Sequence, residues 1–539
     1  MAKGYRAKEP KDYRIILQQD ASEPLVAHFG PVTKEGLIAA SVGQLKGVPV
    51  DVYASDVDHA GGVHFNSKTW EHHSAHVKTL SCSAALQLRN ALQQLIVEGT
   101  DPLHVYCEAA HANGIDYMLR VRTNDLHDVV GIWLKVDKPR TRPGSAVPEL
   151  YYHTSQWKLS HPEFLMGDPT DDTDKDSYEY WERSSLNYAL GPVREHFFKL
   201  IQELVNNYDL DALELDFMRF PFHFPRQERY AQRHVMTAFI GKVRTACDEA
   251  AQRRGRPIRL SVRVPDSVEL CLRTGYDLPR WLNLGYLDMV TISGGYCPFG
   301  TPWHEIVSLG KAAGVPAFAC INYGPIGRDR KLIYAAATRA YAQGVTGIKL
   351  WNCFYCMDYY WAPGQIPLDF SFVKDIVSPE ALVGVEKAYV PGHYFNQGDA
   401  FPVAYAYDHA VWPAQMPLTV GIASDGIGNT VVLDIGDDLV SRPTEKAKLE
   451  VDLVDLGPSD ELLFFFNGRQ IHHDPAAWPG VNAHSKHHFE FAIPFSEIVK
   501  GENTLELRLT KRDETLTPFI SLSGARLTIP GHWDRLAKR

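Results

Sequence analysis

The stretch LELDFMRFPFHF, residues 213–224, carries two acids, an arginine and a histidine directly after an apolar run. Glu214 and Asp216 are two positions apart, which places them on the same face of a strand, and Arg219 and His223 follow them. A charged side chain on an inward face is costly to bury unless it is paired or hydrogen-bonded. These acids therefore indicate either an ion pair that holds the fold together or a catalytic or substrate-binding carboxylate.

The elements that must position these acids are short β-rich runs, each followed by a helical pattern. The eight runs cover residues 13–18, 48–54, 115–123, 211–217, 258–265, 287–293, 316–324 and 346–354. Strands that alternate with helices pair in parallel, and eight such units predict an α/β fold closed into a (β/α)8 TIM barrel. An open doubly wound sheet shows the same alternation, but no G-x-G-x-x-G follows the first run.

The pattern changes after about residue 370 to β runs separated by turns, as in FNGRQI and GENTLELRL. We predict a catalytic barrel over 10–375 and a C-terminal β-sandwich over 376–539, which either binds sugar or acts as a structural buttress. A long loop at about 124–189 follows the third barrel strand and is rich in Tyr, Trp, His and Asp. Loops at this face of a barrel carry its function, so the aromatic residues either stack on sugar rings or form a flap that packs over the barrel mouth.

Composition limits the class of protein. The chain has 539 residues, of which 45% are hydrophobic and 22% charged, and its net charge is −10, which argues against nucleic-acid or anionic-membrane partners. No signal segment and no apolar run of ~18 residues is found, so a soluble, cytoplasmic protein is expected unless a leader peptide was removed. The eight cysteines are scattered through apolar segments as core thiols, and the lone C-x-x-C of Cys353 and Cys356 is interpreted as structural.

The longer segment LNYALGPVREHFFKLIQELVNNYDLDALELDFMRFPF resembles glycosyl-hydrolase-like barrels related to the family-10-like group. The residues that match that pattern are Asn187, Val193, Arg194, Tyr208, Asp209, Asp211, Asp216, Arg219 and Pro221. The sequence departs from the pattern at Ala212, which is usually Gly, and at Leu190-Gly191 in the helix entry. The resemblance implies a glycosidase barrel and does not name a substrate.

Glycoside hydrolysis generally needs two carboxyl groups, one ionised and one protonated. Asp216 is the first candidate, with Arg219 expected to keep it ionised. Asp125 and Glu269 both follow barrel strands and are the leading candidates for the partner, while Asp266 and Glu214 remain possible. Other polar and aromatic side chains at strand ends would contact sugar hydroxyls and ring faces. These predicted substrate-binding residues are Glu214, Arg219, Arg122, Asn124, His127, Arg263, Tyr296, Asn322, Lys349 and Trp351.

We therefore predict a glycoside hydrolase that acts on an oligo- or polysaccharide without a cofactor. A metal-dependent hydrolase is one alternative, but the first strand, RIILQQD, lacks an H-x-H motif, and the pairs His72-His73 and His472-His473 lie outside strands. No metal site is expected. A non-catalytic carbohydrate-binding barrel is the other alternative. The sugar, its linkage, the stereochemical outcome and the oligomeric state stay open.

Overall fold

Eight parallel strands close into a barrel, which confirms the predicted (β/α)8 fold. The computed structural model describes residues 12–20, 22–26, 32–59, 61–77, 80, 83–126, 155–167, 182–293, 295–326, 329–354, 369–392, 415–423, 426–473 and 486–531. In chain order the strands of the barrel, with one small hairpin (β3 and β4), are β1 (Ile15–Gln19), β2 (Val52–Asp56), β3 (Asp58–His59), β4 (Gly62–Val63), β5 (Asp116–Arg122), β6 (Ala212–Asp216), β7 (Arg259–Val264), β8 (Met289–Ile292), β9 (Ala317–Asn322) and β10 (Gly347–Trp351). Around the barrel the order is β1-β10-β9-β8-β7-β6-β5-β2.

Helices surround this barrel as the connecting segments of its parallel strands. They are α1 (Glu23–Val26), α2 (Lys34–Ala39), α3 (Ser83–Val97), α4 (Pro102–Ala112), α5 (Gln156–Ser160), α6 (Gly191–Asn207), α7 (Arg233–Arg254), α8 (Val268–Thr274), α9 (Leu278–Asn283), α10 (His304–Ala313), α11 (Tyr323–Ile326) and α12 (Arg330–Ala342). Short 3-10 helices cover Val42–Leu45, Pro162–Phe164, Ser371–Asp375, Glu380–Leu382 and Phe495–Glu497. Helix α4 begins at a side-chain cap, because the Asp101 carboxylate accepts the backbone N–H of Leu103, and Pro102 occupies its first turn.

The barrel interior is layered. Apolar side chains such as Val52, Ala54 and Met118 pack together in its lower part. Further along the same strands the inward positions become charged, and the register places Arg120 beside Glu214 and Arg122 beside Asp216. The strand period of two therefore stacks the charges above the apolar layer, at the carboxyl end of the barrel.

The C-terminal part consists of antiparallel strands with alternating burial, as predicted for a β-sandwich. Its strands are β11 (Lys387–Tyr389), β12 (Leu418–Val420), β13 (Asn429–Ile435), β14 (Lys446–Val454), β15 (Glu461–Phe466), β16 (Arg469–Ile471), β17 (Lys486–Pro494), β18 (Gly501–Lys511) and β19 (Ile520–Ile529). One sheet has the order β11-β19-β14-β17, with β12 also paired to β19, and the other has the order β13-β18-β15-β16. The boundary at 375/376 stays a prediction.

One side of the barrel is joined to the sandwich through α12. The Arg339 guanidinium on this helix is paired through Nε with Asp434 Oδ2 of β13 at 2.6 Å. Its Nη1 donates to the carbonyls of Pro298 and Thr301 at 3.0 and 2.8 Å. At Gly436 the backbone approaches the helix so closely that an added Cβ would lie 2.7 Å from Arg339 N. The two parts therefore meet over a close backbone contact and a partly buried ion pair.

No helix in the described part of the chain has both the length and the apolar character needed to cross a bilayer. Six of the eight cysteines lie in the described ranges, and each is a buried free thiol, in agreement with their interpretation as core residues. Cys353 is one of them, while Cys356 lies outside the described residues. These six cysteines are therefore core thiols, as the sequence predicts.

Candidate active site

A network of buried charges fills the carboxyl end of the barrel. Its members come from six strands or strand ends, and apart from Asp20 none is more than 2% exposed. We call this set the charge network: Asp20, Asp56, Arg120, Arg122, Glu214, Asp216, Arg263 and Lys349. Because buried charges are costly unless paired, the contacts within this set decide the protonation state of each group.

Asp216, at the end of β6, is held as a carboxylate. Its Oδ2 contacts Arg120 Nη2 and lies 3.2 Å from Arg263 Nη1, and its Oδ1 accepts the backbone N–H of Met218 at 2.9 Å. Burial raises the pKa of Asp216, but Arg120 and Arg263 outweigh it, so the pKa lies well below its ordinary value. The group is therefore ionised at neutral pH.

The predicted cation for this carboxylate, Arg219, has a different setting. Its guanidinium donates to Tyr296 Oη at 3.3 Å and lies 5.4 Å from the ring centre of Trp351. Arg120 and Arg263 take the role that the sequence assigns to Arg219. Arg120 could have been found from the sequence, because it lies two positions before Arg122 on β5 and therefore points to the same, inward face of the strand.

Glu214 lies one layer deeper and is saturated with partners. Its Oε1 contacts Lys349 Nζ and lies 3.1 Å from Arg120 Nε, while its Oε2 accepts the hydroxyls of Thr291 and Ser261 at 2.8 and 3.1 Å. Burial raises the pKa of Glu214, and the cations of Lys349 and Arg120 lower it below its ordinary value overall. Glu214 thus links β6 to β5, β7, β8 and β10, and its pair with Lys349 has the role of a structural ion pair.

Asp56, at the end of β2, is the principal site residue that the sequence did not reveal. Its Oδ1 accepts Arg120 Nη1 at 2.5 Å, and its Oδ2 accepts Arg122 Nη2 at 2.6 Å and Gln18 Nε2 at 3.2 Å. Burial raises the pKa of Asp56, whereas Arg120 and Arg122 lower it, and the nearby ionised Asp20 raises it. The effect of burial is the largest, so the pKa of Asp56 is raised to about 7. The predicted strand ends at residue 54, one turn of the alternation too early. Val52 and Ala54 point into the barrel, and because every second residue of a strand does so, Asp56 points inward as well.

Further acids surround Asp56. Burial raises the pKa of Glu23 and of Asp58 well above its ordinary value, and for Glu23 the nearby Asp20 and Asp56 add to the effect. Arg122 pairs with Asp20 at 2.5 Å and with Asp125 at 2.8 Å. With Glu23, Asp56 and Asp58 protonated, the carboxylates in ion pairs are Asp20, Asp125, Glu214 and Asp216, and they face the cations Arg120, Arg122, Arg263 and Lys349. Within this set the four carboxylates match the four cations when Glu23, Asp56 and Asp58 are protonated.

A cleft opens beside this network. Its volume is about 10 Å³, which is room for about one water molecule, and its lining includes Asp58, Trp70, Arg122, Asp125 and Trp157. Since Arg122 and Asp125 also belong to the ion pairs above, the cleft reaches the charged interior. Its lining combines polar groups with aromatic rings, but as it stands the space is too small for a sugar ring.

The aromatic walls are held by stacking. The His196 ring lies between Trp70, at 4.3 Å and 14°, and Trp157, at 3.7 Å and 4°. Burial lowers the pKa of His196 to about 3, so its ring is neutral between the two indoles. Trp157 belongs to the predicted aromatic loop, and this residue packs on the protein itself, as the flap alternative expects.

The other predicted residues are divided between the mouth and the surface. Arg263, Tyr296, Asn322 and Trp351 are buried at strand ends, and the Asn124 carboxamide ties the loop to the carbonyls of Leu186 and Phe222. Glu269 does not join the acids, because α8 begins at Val268 and turns its side chain outward, where it is 81% exposed and 3.9 Å from Arg273. The structure therefore does not bring Glu269 together with the other predicted acids. His127 lies outside the described residues.

Backbone strain marks the same end of the barrel. Ser293, after β8, has φ 78° and Asn352, after β10, has φ 52°, both in the left-handed region that non-glycine residues rarely adopt. Such residues cluster at functional sites, where the surrounding structure holds them in place.

Metal-ligand geometry occurs elsewhere. Within the described ranges, the side chains that could jointly hold a cation are Glu450, His488 and Glu490 on the sandwich surface. Lys448 Nζ already contacts both glutamates there, at 2.9 and 2.6 Å. The lysine supplies the positive charge that a metal would bring.

No protein-family model and no curated protein matches this chain. Among solved structures it is similar to α-L-fucosidase isoenzyme 2 from Paenibacillus thiaminolyticus, with 14% identity and a TM-score of 0.38 over 67% of this chain and 49% of that one. It is also similar to the endo-β-1,4-mannanase from Thermotoga petrophila, with 10% identity and a TM-score of 0.39 over 95% and 97% of the two chains. The chain thus spans about half the length of the fucosidase. These likenesses are too distant to bear on activity, and the resemblance to the family-10-like group stays a prediction.

Proposed function

We propose that this protein is a glycoside hydrolase in which Asp216 is the ionised carboxylate and Asp56 is the protonated acid. The observation that carries the proposal is Arg120, whose two terminal nitrogens contact the two carboxyl groups, one on each. Two carboxyl groups at one barrel mouth whose environments drive their pKa values apart are the arrangement that glycoside hydrolysis uses.

Each group has a chemical task in this proposal. The Asp56 carboxyl would donate its proton to the glycosidic oxygen as the bond to the leaving group breaks. The Asp216 carboxylate would attack the anomeric carbon or remove a proton from the attacking water. A general acid works best with a pKa near the working pH, which suits the value of about 7 for Asp56.

The neighbouring cleft supports a carbohydrate substrate. Its lining has the residue types that carbohydrate sites use: Trp70 and Trp157, which stack on His196, and the polar groups of Asp58, Arg122 and Asp125. A saccharide would enter only if this cleft widens, and its glycosidic bond would then approach Arg122, which contacts Asp56 directly.

The test replaces each acid by its amide and measures turnover on a panel of glycans and aryl glycosides. Asp216→Asn should lower kcat on every substrate to well under a tenth of the wild-type value, which corresponds to a barrier increase above ~1.4 kcal/mol. Asp56→Asn should lower kcat by ~10²–10⁴ on substrates with poor leaving groups and far less on activated aryl glycosides, which need no protonation.

Glu269→Gln is the matched control, since this acid is exposed on α8, and its activity should equal that of the wild type. If Asp216→Asn keeps more than a tenth of the turnover, Asp216 is not the catalytic carboxylate. Asp125→Asn would then be measured in the same way, because Asp125 is the remaining predicted acid that lines the cleft.

The complete burial of Asp216 and Asp56 favours a second candidate, a carbohydrate-binding barrel whose charges only hold the fold. That protein would bind sugars without turning over any glycoside. Its Asp216→Asn variant would be less stable and would bind sugar as before.

A further inference from the structure

Two polar side-chain atoms at the carboxyl end of β10 are buried and have no hydrogen-bond partner in the described part of the chain. They are the indole Nε1 of Trp351 and Oδ1 of Asn352. Trp351 is only 1% exposed, so solvent does not satisfy its N–H. Nearly all buried polar atoms in native proteins have a partner, and a ligand is one explanation for those that do not.

Asn352 is linked to the proposed acid. Its backbone N–H donates to Gln18 Oε1 at 2.7 Å, and Gln18 Nε2 donates to Asp56 Oδ2 at 3.2 Å. The left-handed backbone of Asn352 is held in this position even though the conformation is unfavourable for an L residue. One glutamine therefore fixes both Asn352 and Asp56.

Trp351 is linked to the proposed carboxylate in the same way. Its ring lies 4.3 Å from the Arg263 guanidinium, which contacts Asp216 at 3.2 Å. Tyr296 packs against the ring edge-on, at 5.1 Å and 82°. The indole is thereby fixed next to Asp216, and the two partnerless atoms belong to adjacent residues that are each connected to one carboxyl group.

We propose that Trp351 Nε1 and Asn352 Oδ1 together recognise two hydroxyl groups of the sugar ring whose glycosidic bond is cleaved, an inference that rests on the proposed function. The pair consists of one donor and one acceptor, and a hydroxyl group can serve as either. A neutral sugar with free hydroxyls satisfies both atoms. An ionised carboxylate or phosphate group would leave the Asn352 oxygen without a donor. A sugar that fits the site therefore keeps free hydroxyl groups at the two recognised positions.

The first experiment measures binding without turnover. The thermal unfolding midpoint of the full chain is recorded with glucose, galactose, mannose, xylose and glucuronate as probes. At least one neutral sugar should raise the midpoint of the wild type. Trp351→Phe removes the N–H and keeps an aromatic ring, and Asn352→Gly removes the carboxamide and suits the left-handed backbone. Each variant should lose that rise.

Trp303→Phe is the matched control. Trp303 is also fully buried with a partnerless Nε1 in the described part of the chain, but it packs 5.0 Å from Arg339, next to the sandwich. This variant should keep the wild-type rise with sugar. The proposal is overturned if no neutral sugar raises the wild-type midpoint, or if Trp351→Phe and Asn352→Gly respond as the wild type does.

The second experiment measures kcat/KM on the aryl glycoside of the best neutral sugar and on its deoxy analogues. Each variant should lose about tenfold or more on the full sugar. On the analogue that lacks the recognised hydroxyl the variant should lose nothing further, because the interaction is already absent. Equal losses on all analogues would overturn the assignment. Sugar binding that depends on the pair, with no turnover of any glycoside, would refute the proposed hydrolase and leave this recognition site standing.

Discussion

At the scale of single residues, Arg120 is the group on which both candidate carboxyls depend. Its guanidinium touches Asp56, Glu214 and Asp216, and all four side chains are buried. Removing one partner from a buried charge group leaves the others uncompensated, so each member constrains the rest. The unequal environments of Asp56 and Asp216 follow from this arrangement, because Arg263 assists Asp216 while ionised Asp20 opposes the ionisation of Asp56.

These environments predict the pH dependence of catalysis. Asp56 must be protonated and its pKa is about 7, so kcat/KM should fall about tenfold per pH unit above that value. The pKa of Asp216 lies well below its ordinary value, so Asp216 stays ionised and kcat/KM should not fall between about pH 7 and pH 5. Activity is measured from pH 5 to 9 on one poor and one activated leaving group.

The activated substrate serves as the internal control, because it needs no proton from Asp56 and should keep its kcat/KM above pH 7. An alkaline limb of the same size on both substrates would contradict the role of Asp56. An acidic limb near pH 6 would contradict that of Asp216.

At the scale of elements, the segment after β6 is held to β5 by a chain of hydrogen bonds. Tyr276 Oη donates to His223 Nδ1 at 2.6 Å, and His223 Nε2 donates to Thr123 Oγ1 at 2.8 Å. Thr123 Oγ1 in turn donates to the backbone carbonyl of Asp216 at 2.8 Å. This order requires a neutral imidazole, and burial lowers the pKa of His223 to about 3. The histidine of the opening stretch therefore positions the end of β6.

The neutral histidine makes stability depend on pH. The unfolded chain protonates this residue below about pH 6.5, whereas the folded chain does so only near pH 3, so the unfolded state binds more protons between these values. His223 thus lowers the free energy of unfolding by roughly 2 kcal/mol as the pH falls from 7 to 5. His223→Gln should remove that part of the loss, measured by urea unfolding at both pH values.

His488 provides the control with the opposite sign. The Asp452 carboxylate raises its pKa, so the folded chain binds the extra proton and acidification stabilises it. His488→Gln should therefore make the loss of stability on acidification slightly larger. A pH dependence of His223→Gln equal to that of the wild type would refute the neutral-histidine assignment.

The strands of the barrel could be predicted from sequence because each carries a local signal, and all eight predicted runs overlap a barrel strand. The site residues could be predicted only where a charged residue lies within a recognisable strand pattern, as Glu214 and Asp216 do. Asp56 was missed because its partners Arg120 and Arg122 are distant in sequence, and the register that joins parallel strands is not a local property. Glu269 lies apart from these acids because a helix begins at Val268 and the Glu269 side chain is exposed on it, and such a helix start is hard to predict from the sequence.

At the scale of the whole molecule, the sandwich rests on α12 through a contact that has no space for a side chain. An added Cβ at Gly436 would lie 2.7 Å from Arg339 N and 2.8 Å from its Cα, and backbone atoms cannot move aside cheaply. Gly436→Ala should therefore lower the free energy of unfolding by about 1–3 kcal/mol. Urea or thermal unfolding measures the change.

Gly421→Ala is the matched control in the same part of the chain. No heavy atom lies within 4 Å of the added Cβ, and the backbone is not in the left-handed region. Its stability should stay within about 0.5 kcal/mol of the wild type. Equal stability of the two variants would show that the barrel and the sandwich do not press together at Gly436.

The protons stored in the barrel interior have a consequence for the energetics of folding. At pH 7.5 the unfolded chain has its carboxyl groups ionised and its histidines almost entirely neutral. Glu23, Asp56 and Asp58 bind protons more strongly in the folded state, so the folding reaction draws protons from the solution. Thermal unfolding would release them to the buffer, whose own heat of protonation then enters the calorimetric signal. The apparent unfolding enthalpy should be smaller in Tris, which takes up protons exothermically, than in phosphate at the same pH, and identical enthalpies would mean that the interior holds no extra protons.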